Sequence, residues 1–162
     1  MLDGEQAVYQ YLKEKGVSYE VVSHEPVYTI EDMVQLKLPH LEAIAKNLFV
    51  RDDKKRNYYL FVVSKDKRVE LKKIRHQIDA RPLTFASEED LKEFLNLTKG
   101  AVTPFGLLND KDRRVTAIFD KDFEHNLIGI HPNVNTATVW LQTQDLIHLI
   151  EDHGNIIKFI EL

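Results

Sequence analysis

The residues best suited to chemistry lie in two segments in the second half of the chain, each of which links a glycine to a proline. Residues 100–106 read GAVTPFG, and residues 129–138 read GIHPNVNTAT. Glycine lets another group approach the main chain closely, and proline fixes φ. The pattern predicts two rigid walls at which backbone groups, rather than side chains, meet a small ligand.

The standard sets of catalytic side chains are absent from the sequence. The chain has no cysteine, no H-E-x-x-H or G-x-S-x-G motif, no P-loop and no dinucleotide fingerprint. Its seven histidines are scattered, and none forms an i, i+4 pair that would support a zinc site. A site with so few reactive groups is suited to hydrolysis of an activated ester. Positioning of the reactants and one hydrogen-bond donor to the oxyanion, worth roughly 3 kcal/mol, lower the barrier enough for such an ester.

Lys46 is the side chain that stands out, within the AKNLFV run of residues 45–50. Strand alternation places it on the same face as Leu48 and Val50, so it lies on an apolar face. A lysine there needs an anionic or carbonyl partner. The alternative is an ordinary surface lysine, which is the usual place for this residue.

Lys46 and the two glycine segments, in this order, resemble the YbaK/prolyl-tRNA-synthetase-associated domain family, and within it the free-standing prolyl-tRNA-editing branch. The resemblance covers nearly the whole chain. It implies one editing domain over residues 1–162, of α/β (mixed α+β) class, with a central mixed, partly barrel-like sheet and surrounding helices. It also implies hydrolysis of alanine wrongly attached to proline tRNA by a positioned water, with no metal or organic cofactor.

The resemblance also implies roles for individual residues. Lys46 anchors the substrate, and Gly100 and His131 complete the catalytic set. His131 orients the substrate or its loop, with general-base action as the alternative. The residues expected to contact the substrate are Asn47, Thr103, Pro104, Gly129, Pro132, Asn135 and Thr136. Short polar side chains of this kind serve equally well in turns and strands, which is the alternative for Asn47, Thr103, Asn135 and Thr136.

Specificity is expected to follow from size. A synthetase pocket built for proline cannot strongly reject alanine, since a missing methylene or two changes binding by only about 1–3 kcal/mol. A second pocket too small for proline corrects the error. The candidates to line it are Ile30, Met33, Val34, Leu48, Val102 and Phe105. Ala101 and Thr103 differ from the second glycine and the serine of cysteine-editing relatives and so favour alanine. A Cys-tRNA or Ser-tRNA deacylase and a non-catalytic tRNA-binding module remain the alternatives.

Charge limits the range of partners. The net charge of −4 argues against a protein that coats long nucleic acid, so no DNA is expected. A locally basic stretch is the candidate contact for tRNA, with a solvated helix face as the alternative, and comprises Lys65, Lys67, Arg68 and Lys72. Prolyl-tRNA synthetase is a candidate partner. No apolar run reaches membrane-spanning length and no signal peptide is visible, so a cytoplasmic protein is expected.

Helices and strands intermingle along the chain without strict alternation, which predicts a mixed sheet with helices packed on it. Residues 46–51 and 58–63 are predicted strands of a hairpin. The pairs Asp3/Gln6, Thr29/Asp32 and Ser87/Asp90 predict helix starts, with Ser87 capping residues 88–95. Thr143 is predicted to cap the last helix, which ends at Gly154.

Overall fold

The computed structural model describes residues 1–162, in which five α-helices are interspersed among eight β-strands. The helices are α1 (Gly4–Glu14), α2 (Ile30–Gln35), α3 (Leu71–Gln77), α4 (Glu88–Leu95) and α5 (Thr143–His153). The strands are β1 (Glu20–Ser23), β2 (Ala45–Asp52), β3 (Tyr58–Ser64), β4 (Leu83–Phe85), β5 (Val115–Asp120), β6 (Leu127–Ile130), β7 (Ala137–Gln142) and β8 (Ile157–Ile160). No helix is both long and apolar enough to cross a membrane.

The strands form two sheets that meet at one point. The larger sheet is mixed, with strand order β4-β2-β3-β5-β8, and the smaller antiparallel sheet has the order β1-β7-β6. A single parallel bridge between Ile44 and Gly129 links them. The mixed α+β prediction is confirmed, but the strands divide between two sheets where one central sheet was expected. The bridge matters for function, because it places the start of β2 beside the end of β6.

The main core fills the space between the two sheets and the helices. A cluster of 25 buried residues includes Leu12 of α1, Leu95 of α4, Phe119 of β5, Val139 of β7 and Leu146 of α5. Burying each such side chain stabilises the fold by about 1.5–3 kcal/mol. The elements that carry the polar residues described below are therefore held on a rigid, close-packed base.

A smaller cluster packs α2 onto the three-stranded sheet. It contains Met33, Ile44 and Trp140, each less than 5% exposed. The helix has only six residues, too few to be stable alone, so this packing and its capping box hold it in place. The segment that precedes and forms α2 thereby becomes one wall of a cavity.

Capping explains where several helices begin. Ser87 Oγ accepts a hydrogen bond from the Asp90 amide, and the Asp90 carboxylate accepts one from the Ser87 amide, which confirms the predicted start of α4. The Thr29/Asp32 box at α2 is confirmed in the same way. Two predictions are wrong: Asp3 makes no side-chain cap, and Gln142, not Thr143, precedes α5.

The hairpin of β2 and β3 is fixed by a buried carboxylate. Asp52 is fully buried, and it accepts hydrogen bonds from the amides of Lys54 and Arg56 and from Asn57 Nδ2 at 2.8–3.1 Å. Burial acts to raise the pKa of Asp52, but these hydrogen bonds outweigh it, and the net pKa is lowered. The turn sets the strand register in which Lys46 lies opposite Val63.

Candidate active site

A cavity of about 780 Å³ opens where the two sheets meet. Its walls come from the segment before α2, the start of β2, the junction of β4 and α4, Gly100 and the end of β6. The buried lining residues form an apolar floor, which includes Met33, Ile44, Ala45, Gly129 and Ile130. The exposed ones form the mouth and include Tyr28, Phe85, Glu88 and Lys99. Ligand pockets for small molecules have this size and this apolar character.

Lys46 lines this cavity as a cation without a protein partner. It forms no ion pair or hydrogen bond, whereas Lys65 and Lys67 nearby both do. Burial lowers the pKa of Lys46, and the charge of Asp66 offsets part of that effect. A partly buried ammonium of this kind is available to a carbonyl or phosphate oxygen of a ligand.

Asn47 presents an unsatisfied acceptor in the same wall. Its Oδ1 is buried and has no hydrogen-bond partner. Leaving a buried acceptor unpaired costs about 1–3 kcal/mol, so such groups are rare unless a ligand or water completes them.

His131 follows β6 and lies in the cavity wall with its ring orientation fixed. Its Nδ1 is 3.0 Å from the Ala137 carbonyl oxygen, which can only accept, so Nδ1 carries the proton. Burial lowers the pKa of His131, with the Ala137 hydrogen bond opposing and His24 reinforcing the shift. The ring is therefore neutral at neutral pH, and Nε2 is a free acceptor.

His24 is a neighbour that the sequence analysis did not single out. Its ring centroid lies 6.4 Å from that of His131, and its Nε2 is 2.9 Å from Thr138 Oγ1. Its Nδ1 lies 2.8 Å from the Glu25 carbonyl oxygen and donates to it, so Nε2 accepts the hydroxyl proton of Thr138. The lone pairs of Thr138, a cavity residue, then remain available.

The two glycine segments meet at this cavity, since Gly100 and Gly129 both line it. Gly100 has a φ of +92°, and a Cβ there would lie 3.3 Å from the Tyr28 ring. Gly129 lies in β6, a strand that was not predicted from the sequence. A Cβ at Gly129 would come within 2.7 Å of Trp140 Nε1 and 2.9 Å of Ile44 Cδ1, so the close packing at this position has room only for a residue without a side chain.

Two of the predicted substrate contacts are not brought to the cavity. Thr103 is fully buried, and its Oγ1 accepts a hydrogen bond from the Phe105 amide at 3.4 Å, which starts a short 3-10 helix at Pro104. Both residues have a structural role in this position.

Of the residues expected to line a small pocket, Phe105 is in the main core and Val34 is exposed, and neither lines the cavity.

Three further predicted contacts lie behind the cavity wall. Asn135 Nδ2 donates to the Val27 carbonyl at 2.9 Å, and the Thr136 carbonyl accepts from the His24 amide at 2.8 Å. Pro132 is buried next to His131. The hydrogen bonds of Asn135 and Thr136 hold residues 24–27 against the loop before β7 and so position the wall.

The basic stretch is partly neutralised by the protein itself. Lys65 Nζ is 3.0 Å from Asp66 Oδ2, and Lys67 Nζ is 2.9 Å from Asp120 Oδ2 and 2.8 Å from Asp122 Oδ2. Arg68 and Lys72 are exposed. None of these four basic residues lines the cavity.

No group of three or more histidine, aspartate or glutamate side chains is arranged to hold a metal ion.

Comparison with known proteins agrees with this arrangement. Residues 24–149 match the family model described as an aminoacyl-tRNA editing domain. The chain is 44% identical over 162 residues to the prolyl-tRNA editing protein ProX of Acetoanaerobium sticklandii, covering 99% of each chain. It is 34% identical over 155 residues to prolyl-tRNA synthetase associated domain-containing protein 1 of Mus musculus, covering 90% of this chain and 89% of the relative.

A solved structure shares the fold. It is described as a candidate trans-editing enzyme for prolyl-tRNA synthetase, and it superposes with a TM-score of 0.72 at 22% identity, covering 100% of this chain and 99% of the other. The family model spans most of the chain, and a relative well above 30% identity covers nearly all of it. The chain therefore belongs to the aminoacyl-tRNA editing domain family, which confirms the predicted class of aminoacyl-tRNA deacylase.

Proposed function

We propose that the protein is a trans-editing enzyme that hydrolyses Ala-tRNA(Pro) to alanine and free tRNA. The observation that carries this proposal is one cavity lined by Lys46, whose ammonium has no protein partner, and by the neutral ring of His131, with Asn47 also among the lining residues. The names of the relatives from Acetoanaerobium sticklandii and Mus musculus, both of which mention prolyl-tRNA, support the choice of tRNA.

The chemistry needs only a positioned water. The water oxygen bonds to the ester carbonyl carbon and the water gives up a proton, the bond from that carbon to the ribose oxygen breaks, and the ribose oxygen takes up a proton. Lys46 anchors the substrate through a carbonyl or phosphate oxygen. Where it binds the ester carbonyl oxygen, it also lowers the cost of the negative charge that develops there, an effect worth roughly 3 kcal/mol. Asn47 Oδ1 accepts a hydrogen bond from the α-ammonium or a ribose hydroxyl.

His131 orients the nucleophile. Its Nδ1 is committed to Ala137, so Nε2 accepts a hydrogen bond from the attacking water or from the vicinal ribose hydroxyl. The main chain at Gly100 forms the adjacent wall, where its left-handed backbone conformation leaves no room for a strain-free side chain.

Selection of alanine over proline is proposed to occur at the apolar floor. The whole cavity, at about 780 Å³, holds far more than a methyl group, so exclusion of a pyrrolidine ring is a local property. Met33, Ile44 and Ile130 are each less than 5% exposed and close the floor around Gly129. A ring placed there meets close-packed side chains that cannot move without cost.

The exposed members of the basic stretch, Arg68 and Lys72, are the proposed contacts for tRNA phosphates away from the cavity. Prolyl-tRNA synthetase is a proposed partner, since it produces the mischarged substrate. The reaction then takes place in the cytoplasm, where tRNA is charged.

The test is a panel of charged tRNAs incubated with the wild-type protein. The expected result is release of amino acid from Ala-tRNA(Pro), with Pro-tRNA(Pro) left intact. Preferential release from Cys-tRNA or Ser-tRNA would overturn the alanine assignment and keep the deacylase. Binding of Ala-tRNA(Pro) without release would overturn the catalytic proposal.

A further inference from the structure

Two aromatic rings at the mouth of the cavity are exposed to an unusual degree. Tyr28 is 73% exposed and Phe85 is 59% exposed, and both line the cavity. No other aromatic side chain is more than half exposed among the large exposed apolar residues, where Tyr19 reaches 36%. Exposed aromatic surface that is confined to the rim of a site marks a place where a partner binds.

The backbone beneath each ring is held firmly. Phe85 ends β4 and pairs with Val50, and the next amide, of Ala86, donates to the Phe49 carbonyl at 3.0 Å. The Tyr28 amide donates to Asp32 Oδ2 at 3.0 Å, and the Tyr28 ring lies against Gly100. Each ring is therefore presented on a fixed support, so little conformational entropy is lost when a flat ligand stacks on it.

The charge at the mouth adds a second indication. Lys99 lies beside Gly100, is exposed, and forms neither an ion pair nor a hydrogen bond. The charged residues that line the cavity are Lys46, Lys99 and Glu88. Two cations against one anion give an attractive surface for a phosphodiester in a protein whose overall charge is −4.

Aromatic faces combined with free cations bind single-stranded nucleic acid, since every base has a face to stack and every linkage carries a charge. We propose that Phe85 and Tyr28 stack the unpaired nucleobases at the 3′ end of the tRNA and that Lys99 binds a phosphate between them. This inference rests on the proposed function for the identity of the RNA. It extends that function by assigning the mouth of the cavity, defined by Tyr28, Phe85 and Lys99, to the nucleotides and the floor to the amino acid.

Direct binding provides a test that does not depend on catalysis. In the variant Phe85→Trp, the new indole is exposed at the mouth, whereas the natural Trp140 is buried. The probe is the RNA tetranucleotide 5′-ACCA-3′, uncharged, and the same oligonucleotide with an abasic 3′ terminus. The matched control is Ile156→Trp, since Ile156 is 60% exposed but does not line the cavity.

The expected result is saturable quenching of fluorescence in Phe85→Trp by 5′-ACCA-3′, with weaker binding of the abasic probe by roughly fivefold or more. Ile156→Trp should show no saturable change. Absence of quenching in Phe85→Trp, or equal quenching in both variants, would overturn the stacking site even if the enzyme hydrolyses Ala-tRNA(Pro).

Kinetics provide the second test. Phe85→Ala and Tyr28→Ala should each raise KM for Ala-tRNA(Pro) by roughly fivefold or more with little change in kcat, and Phe85→Tyr should restore KM. Ile156→Ala should leave both constants unchanged. An unchanged KM in Phe85→Ala would overturn the inference and leave the deacylase intact. If wild type hydrolyses no charged tRNA, the proposed function fails, and quenching by RNA decides the nucleotide site independently.

Discussion

The Nδ1 proton of His131 is committed to the carbonyl oxygen of Ala137, 3.0 Å away, at the first residue of β7. This contact settles the tautomer of the ring and leaves Nε2 unprotonated when the side chain is neutral. Because the contact runs from the end of β6 to the start of β7, the fold itself holds the ring at the cavity wall.

The pH dependence of the reaction should reflect this environment. Burial lowers the pKa of His131 from its ordinary value near 6.5, so the neutral, accepting form persists below that pH. We expect the acidic limb of kcat/KM for Ala-tRNA(Pro) to fall below pH 6.5 and to disappear in His131→Gln, which retains little activity. A wild-type limb centred at or above pH 6.5 would contradict this role.

Two lysines should respond in opposite ways to the same substitution. Lys46→Met should lower kcat for deacylation about 100-fold or more, because it removes the anchoring cation. It should leave the free energy of unfolding unchanged or raised, since the lowered pKa shows that the folded environment disfavours the charge.

Lys67→Met is the matched control. Burial acts to lower the pKa of Lys67, but hydrogen bonds to Asp122 and Asp120 outweigh it, and the net pKa is raised. Removal of this lysine leaves the fully buried Asp120 without its cation and should destabilise the fold by about 1–3 kcal/mol while kcat is kept. Urea unfolding and deacylation kinetics check the pair. Similar losses of kcat in both variants would contradict the assignment of a catalytic role to Lys46 and a structural role to Lys67.

Replacement by alanine should have different effects at the two glycines of the cavity. Gly129→Ala places a Cβ within 2.7–2.9 Å of Trp140 and Ile44, and it should destabilise the fold by about 1–3 kcal/mol and shift Trp140 fluorescence. Gly100→Ala meets only the exposed Tyr28 ring at 3.3 Å but strains a backbone with φ of +92°.

We therefore expect Gly100→Ala to lower kcat while leaving Trp140 fluorescence unchanged. Thermal unfolding, fluorescence spectra and kinetics of the two variants measured side by side provide the check. Normal turnover by Gly100→Ala would remove Gly100 from the proposed wall.

Enlarging the floor should relax specificity. Met33 is 4% exposed and lies in a cluster of only five buried residues, so Met33→Ala opens space at a cost of about 2–5 kcal/mol. The variant is expected to hydrolyse Pro-tRNA(Pro) measurably while it retains activity on Ala-tRNA(Pro). Leu60→Ala, which opens a cavity in the main core, is the control and should not gain this activity. Unchanged rejection of Pro-tRNA(Pro) by a folded Met33→Ala protein would place selection elsewhere.

The sequence predicted the elements better than the contacts between them. Capping boxes at Thr29 and Ser87 are local patterns, and both were recognised. The strand β6 was missed because it has four residues, one of them a glycine, and its pairing with β7 is what stabilises it. Thr103 was misplaced since a buried capping threonine and a site threonine look alike in a sequence.

The arrangement of the site depends on contacts between residues far apart in the chain. His24 reaches Thr138 across 114 residues of sequence, through the pairing of β1 with β7. Lys67 forms an ion pair with Asp120, which is 53 residues away in the sequence. A residue that was expected to contact tRNA therefore has a structural role. Strand alternation and the resemblance to the editing family both indicated Lys46, and the resemblance indicated His131. No local pattern indicated His24 or the exposed pair Tyr28 and Phe85.

The selectivity of the cavity for alanine is tested most directly by comparing hydrolysis of Ala-tRNA(Pro) and Pro-tRNA(Pro) by the wild-type protein in single-turnover experiments at the same enzyme concentration. We expect the alanyl ester to be cleaved at least about tenfold faster than the prolyl ester. Equal rates for the two esters, or no cleavage of the alanyl ester above the spontaneous rate, would contradict it.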